Sequence, residues 1–147
     1  SEFFKNMRIQ DLATEWSDAM RSELAEGFLQ LLLKLMSLAF SLNIRGYRAN
    51  IEHFTGRYVF RSKDKAITAS ASFENGKMKV YDHVIDRPDV TIIFRHDRAL
   101  MDYLLSPRPD ILGSVLRQDV EVRGNLNYLY KFAFMARRLQ LMATGTI

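Results

Sequence analysis

The sequence predicts an α+β fold: about five strands in a mostly antiparallel sheet, with helices covering one face. Three observations carry this. Apolar residues alternate at period two through residues 57–61, 66–73 and 77–81, and again at 119–123. Helical spacing of apolar residues is concentrated toward the two ends of the chain, in 27–44 and 125–142. Strands that follow one another in sequence, with helices gathered at the ends, argue for helices on one side of a sheet. No internal repeat or Pro/Gly/Ser linker divides the 147 residues, so a single domain over 1–147 is expected, with a helical segment at 1–44 and sheet and helices at 45–142.

Residues 3–22 are mixed, with Asp11, Ser17 and Ser22 available as helix caps. Residues 27–44 are the most apolar stretch. Its polar residues Gln30, Lys34, Ser37 and Ser41 are spaced four, three and four apart, which puts them on one narrow stripe of a helix. Such a helix must bury two sides. As a membrane span it would reach only ~27 Å at ~1.5 Å per residue, with Lys34 near its middle, so a core or interface helix is the better reading.

The strand at 57–61 sets Tyr58 and Phe60 against Arg57, Val59 and Arg61. In 66–73, Ile67, Ala69, Ala71 and Phe73 face away from Ala66, Thr68, Ser70 and Ser72. Asn75-Gly76 signals a two-residue hairpin, after which Met78 and Val80 oppose Lys77, Lys79 and Tyr81. Val90 to Phe94 is short and nearly all apolar, as a central strand would be. Asp97 then offers a cap to a helix carrying Leu100, Met101 and Leu104, which Ser106-Pro107-Arg108-Pro109 stops. Pro109 opens a second short helix with Ile111, Leu112, Val115 and Leu116 at helical spacing. A last strand at 119–123 ends at Gly124-Asn125, where Asn125 can cap the final helix.

The run RPDVTIIF, a short Leu-rich helix, a Pro-Asp turn, VEVRGN and an apolar helix, preceded by SFENGKMKVYD, resembles the sterol carrier protein-2 (SCP-2) family of lipid-binding domains. The likeness covers roughly residues 50–140 and rests on order and spacing. That family usually has a Gly just before the strand that here begins at Asp119; Arg117-Gln118 stands there instead. The resemblance implies an SCP-2-like fold and a fatty acyl chain, sterol or similar lipid held between the sheet and its helices.

Composition narrows the chemistry. The absence of cysteine excludes disulfides, thiolate metal sites and cysteine nucleophiles, and a reducing cytoplasm is the default compartment. The start SEFFKNMRIQ lacks the basic and apolar runs of a signal peptide, although an upstream segment could have been removed. Residues 1–44 hold four Lys/Arg and six Asp/Glu, so with +4 overall the remainder carries +6. That excess suits anionic headgroups or nucleic acid, and equally an ordinary solvated face. His53, His83 and His96 each adjoin an acid, but neighbours in sequence point apart on a strand, so no metal site is expected. No Gly-rich phosphate loop, serine elbow or HExxH run occurs, so neither a catalytic residue nor a cofactor is expected. Nucleic-acid binding is disfavoured because Tyr58 and Phe60 face away from Arg57 and Arg61.

From Leu126 to Met142 the apolar set exceeds one core-facing stripe, and Phe134 lies between Lys131 and Arg138 on the wet side. Two helices therefore offer more apolar surface than a small sheet needs. A larger core, a homodimer or a ligand cavity would each absorb it. The SCP-2 resemblance favours the cavity. Facing and that resemblance together put Met78, Val80, Phe94, Leu100, Met101, Leu104, Leu116, Phe132, Met135 and Leu139 on its wall. Seven Met residues suit an adaptable lining, as they suit ordinary cores. Lys131, Phe134, Arg137 and Arg138 are the candidate contacts with a membrane or headgroup. The expectation is a non-catalytic protein that binds and transfers lipid and touches membranes peripherally. The alternative is an interaction module serving a lipid or quinone biosynthetic enzyme.

Overall fold

The computed structural model describes residue 14 and residues 27–96, 99–100 and 119–145. The helical runs expected at 3–22 and between Leu100 and Leu116, the cap Asp97, and Arg117-Gln118 lie at least in part outside the described residues. The elements are α1 (Phe28–Ser41), a 3-10 segment (Ile44–Ile51), β1 (Gly56–Ser62), β2 (Thr68–Glu74), β3 (Lys77–Tyr81), β4 (Val90–Phe94), β5 (Val120–Gly124) and α2 (Leu126–Ala143). The sheet order is β3-β2-β1-β4-β5. Every pairing is antiparallel except β1 with β4, which is parallel.

Helix α1 stops three residues before the expected Ile44. Asn43, Arg45 and Gly46 all adopt left-handed backbone (φ 48, 48 and 74), a conformation that ends a helix and turns the chain. Arg48 holds the turn: its Nε and one terminal nitrogen donate to the Phe40 and Ser41 carbonyls at 3.1 and 2.8 Å. These carbonyls belong to the last turn of α1, where a helix lacks its own donors. The Asn75-Gly76 signal is realised as a tight hairpin with both φ values positive (54 and 72). Asn125 caps α2 as expected, accepting the Asn127 N–H at 2.9 Å. Just before the undescribed residues, the His96 Nδ1 accepts the Ala99 N–H at 3.0 Å.

The helix-covered face of the sheet carries Tyr58, Phe60, Ala69, Ala71, Phe73, Val90, Ile92, Phe94 and Val120, all buried in the main core cluster. Helix α1 packs on the β2–β3 side and α2 over β4. Aromatic rings fill the space between: Phe60 meets Phe132 at 4.9 Å between centroids, Tyr58 meets Phe132 at 5.5 Å, and Phe40 stacks on Tyr47 at 4.3 Å. The Tyr47 hydroxyl donates to the Met135 carbonyl at 2.6 Å, tying the 3-10 segment to α2.

The opposite face departs from the polar surface that the alternation predicts. Because β4 lies beside β1 while β3 sits at the edge, residues 82–89 must cross that face. Ser70, fully buried, accepts the Ile85 N–H at 3.2 Å and donates to the His83 carbonyl at 2.6 Å, stitching the crossing down. Val59, Ile85 and Ile93 are buried there, apart from the main core. The crossing ends at Asp89, whose carboxylate accepts the Arg57 N–H at 2.8 Å and whose own N–H donates to the Arg57 carbonyl at 2.8 Å. Its carbonyl accepts the Asn125 N–H at 2.9 Å, beside Gly124. Gly124 has φ +102, and a Cβ there would overlap the Asp89 carbonyl oxygen. Gly124→Ala is therefore expected to destabilise the protein by about 2 kcal/mol or more, combining backbone strain with steric overlap. Urea unfolding followed by circular dichroism checks this.

Candidate functional site

Helix α2 is buried along Leu129, Phe132, Met135, Ala136, Leu139 and Met142. Of the residues expected to line a lipid wall, Phe94, Leu100, Phe132, Met135 and Leu139 come together in the core, each with no exposed surface. Met101, Leu104 and Leu116 lie outside the described residues. Met78 is half-buried against the core, opposite Phe73 on β2. Val80 points to the same face of the sheet, yet it stands 42% exposed because β3 is an edge strand and α2 lies at the other side.

The other face of α2 is unusual. Leu126, Tyr130 and Phe134 are 40%, 46% and 53% exposed. They are spaced four apart, so they form one apolar row along the helix. Arg138 continues the row by four more residues, with its guanidinium carbon 5.9 Å from the Phe134 ring centroid. Lys131 lays its ammonium 5.4 Å from the Phe54 centroid, and Arg137 donates to the Gln140 side chain at 2.8 Å. Sequence reasoning found Phe134 and the three cations but not Leu126 and Tyr130, although the i, i+4, i+8 spacing was there to read.

Two clefts open along β3. One, of about 530 Å³, lies between the C-terminal end of α1 and the hairpin at 75–79; Phe40 and Met78 give it apolar surface, and Arg48, Lys77 and Lys79 line it too. The other, of about 440 Å³, lies nearer the start of α1, with Gln30, Leu33, Val80 and His83 among its walls. The polar stripe of α1 supplies part of both, through Gln30, Ser37 and Ser41.

No group of three or more potential metal ligands occurs among the described residues. His83 pairs with Asp82 at 3.2 Å on the surface. Also among the described residues, no single helix is long and apolar enough to cross a membrane. Among the described residues, two phenols are strongly perturbed. Burial pushes the Tyr47 hydroxyl far above its ordinary value. Burial does the same to Tyr58, with smaller contributions from Tyr128 and Asp89, and the Tyr58 hydroxyl donates to the Tyr128 carbonyl at 2.7 Å. Both are neutral anchors for α2 rather than acid–base groups at ordinary pH.

Neither a family model nor a curated protein matches the chain. Solved structures share its fold. A UbiJ-SCP2 ubiquinone synthesis protein superposes with a TM-score of 0.56 at 16% identity, over 77% of this chain and 92% of that one. The sterol carrier protein domain 2 of Helicoverpa armigera gives 0.50 at 18% identity, over 78% and 87%. The stereoselective inverting sec-alkylsulfatase Pisa1 from Pseudomonas sp. gives 0.58 at 12% identity over 71% of this chain, which spans only 16% of that enzyme. At these identities the likeness is one of fold, and the fold is SCP-2-like, as the sequence led us to expect.

The two buried phenols set a pH dependence. Their folded pKa values lie above the unfolded value of 10.0. The stability they contribute is thus fully present below that value and is lost as pH rises above it, where the unfolded chain ionises first. Urea midpoints are expected to hold level up to roughly pH 9 and fall beyond roughly pH 10, less steeply in Tyr58→Phe.

Proposed function

We propose that this domain binds a lipid with a fatty acyl, sterol-like or polyprenyl body, without catalysing a reaction, and exchanges it with an anionic bilayer through the outer face of α2. The observation that carries the reading is the doubly apolar α2. One face closes the core, and the other presents Leu126, Tyr130 and Phe134 to solvent beside basic side chains. A helix with an apolar row flanked by Lys and Arg suits the boundary between headgroups and acyl chains, with the cations reaching phosphates. The SCP-2-like fold supports the same reading.

The lipid body would lie against β4 and the buried face of α2. Phe94, Leu100, Phe132, Met135 and Leu139 form the described part of that wall, and Met101, Leu104 and Leu116 would complete it. Since the described part is packed, entry requires side chains to move aside, and Met135, with its flexible thioether, adapts most readily. Burying ~14 methylenes at ~0.8 kcal/mol each gives about 11 kcal/mol gross, before the ordering and repacking terms are subtracted. Affinity would then follow chain length more than head chemistry.

A second reading uses the same exposed row as a protein contact, with the domain presenting apolar substrates to a lipid or quinone biosynthetic enzyme. The likeness to a UbiJ-SCP2 ubiquinone synthesis protein favours it as the runner-up. Vesicle binding separates the two. With phosphatidylglycerol vesicles, Phe134→Asp is expected to weaken association about tenfold or more with an unchanged circular dichroism spectrum. Reversing Lys131 and Arg138 to Glu should do the same and flatten the salt dependence, since each basic residue near an anionic surface contributes about 1 kcal/mol. Vesicle association indifferent to all these substitutions would refute the bilayer role and leave the protein contact.

A further inference from the structure

Strand β3 closes one edge of the sheet, with β2 on one side and no strand beyond it among the described residues. The Asn75-Gly76 turn is a two-residue loop with Glu74 opposite Lys77, and this register fixes which backbone groups look outward. In such a hairpin Lys77, Lys79 and Tyr81 exchange their bonds with Glu74, Ser72 and Ser70, and Met78 and Val80 turn their N–H and C=O groups to the open edge. Among the described residues, neither Met78 nor Val80 makes a backbone bond outside the sheet.

The side chains divide in the same rhythm. Met78 and Val80 point to the helix-covered face, and Lys77, Lys79 and Tyr81 to the opposite one. Without a strand alongside, Met78 is only half-buried and Val80 is exposed, as are both lysines. The two clefts beside α1 lie along this edge, one with Met78 in its wall and the other with Val80. Those residues stand roughly 7 Å apart at ~3.4 Å per residue, which is also the spacing of alternate side chains on any strand laid beside them.

Charge decides what kind of strand fits. Pairing two β3 strands antiparallel, with Met78 opposite Val80, would set Lys79 against Lys79, and like charges directly opposed destabilise a pair. A second copy of this chain is therefore disfavoured, and a segment with carboxylates at those positions is favoured. Neither lysine forms an ion pair among the described residues, and Glu74, opposite Lys77, makes none with it. Asp82, just past the strand, is held by His83 at 3.2 Å instead. At the other edge of the sheet, by contrast, Arg123 of β5 is answered within its own strand by Glu121 at 3.0 Å.

We propose that β3 is a docking edge for an extended segment of another protein in which acidic and apolar residues alternate. The segment adds a strand beyond β3, bonded to the backbone of Met78 and Val80. Its apolar side chains cover Met78 and Val80 and enter the two clefts, and its carboxylates face Lys77 and Lys79 on the other side of the sheet. This edge stands whether or not the wall under α2 holds a lipid.

The test uses the whole chain and the end-blocked peptide Glu-Val-Glu-Val-Glu-Val-Glu, with affinity from calorimetry and position from amide hydrogen exchange. With the peptide bound, exchange at the Met78 and Val80 amides is expected to slow about tenfold or more, because strand addition gives both N–H groups acceptors. A peptide of the same composition with its valines in one block, and the alternating peptide with lysine for glutamate, form parallel arms. Each should bind about tenfold or more weakly. In Lys77→Glu/Lys79→Glu the preference should reverse toward the lysine peptide, with the circular dichroism spectrum unchanged because both side chains are exposed. The proposal is overturned if the acidic peptide does not bind, or binds without protecting Met78 and Val80. Equal binding of the block or lysine peptide overturns it too, as does a glutamate preference that survives in the double variant. Phe134→Asp, on the outer face of α2, should leave peptide binding unchanged, which tells failure of the bilayer role from failure of this edge. Loss of peptide binding in that variant would put the peptide on α2 and overturn the proposal.

Discussion

The parallel pairing of β1 with β4 is the constraint on which the remaining architecture depends. Three strands run β1-β2-β3 by successive antiparallel pairings, which leaves β3 at the edge. To return to β1, the chain has to cross the sheet, and it does so on the face the helices leave open. Ser70 and Asp89 are the fastenings of that crossing, one at its start and one at its end. Gly124 is the position where β5 closes on it without room for a side chain. The same constraint puts the Lys77 and Lys79 strand at a rim, where a cleft can open beside α1.

The two long helices solve different problems on the covered face. Helix α1 is buried on almost all sides and keeps one narrow wet stripe, which ends up over the β3 clefts. Helix α2 is sealed by aromatic packing on one side: Phe132 between Tyr58 and Phe60, with Tyr47 and Tyr58 donating to its backbone. Its remaining apolar residues have nowhere inward to go. They form the exposed row, so the apolar excess is divided between a packed interior and an outward surface. A buried phenol is a demanding anchor, because its hydroxyl must keep a partner wherever the helix moves. Motion of α2 that admits a lipid would have to preserve those two bonds or replace them.

Much of this was legible in the sequence because it is local. The hairpin at Asn75-Gly76, the cap at Asn125 and the alternation in β1 and β2 each depend on a few adjacent residues. The polar stripe of α1 needed only helical spacing, and the order of elements sufficed to suggest the SCP-2-like fold. The rest depends on chain parts that meet only in space. Ser70 looks like any outward strand serine until the crossing loop lies over it, and Val59 and Ile93 are buried for the same reason. The early end of α1 is set by left-handed residues without a Pro to mark them. The exposure of Val80 follows from strand order, and the cleft joins Arg48 to Lys77 and Lys79 across almost thirty positions, a proximity no periodicity reveals. The stripe of Leu126 and Tyr130 was local and readable, but apolar residues on an apolar helix give no sign of which face stays uncovered.

The central claim is that this SCP-2-like domain carries a lipid rather than a uniformly closed core, and the most direct measurement asks the purified protein what it holds. Gentle purification without detergent, organic extraction and mass spectrometry should return a lipid in substantial ratio to protein. Protein stripped by that extraction and refolded should recover labelled lipid from vesicles. Protein that yields no lipid and takes none up, while retaining its native circular dichroism and melting transition, would contradict the account.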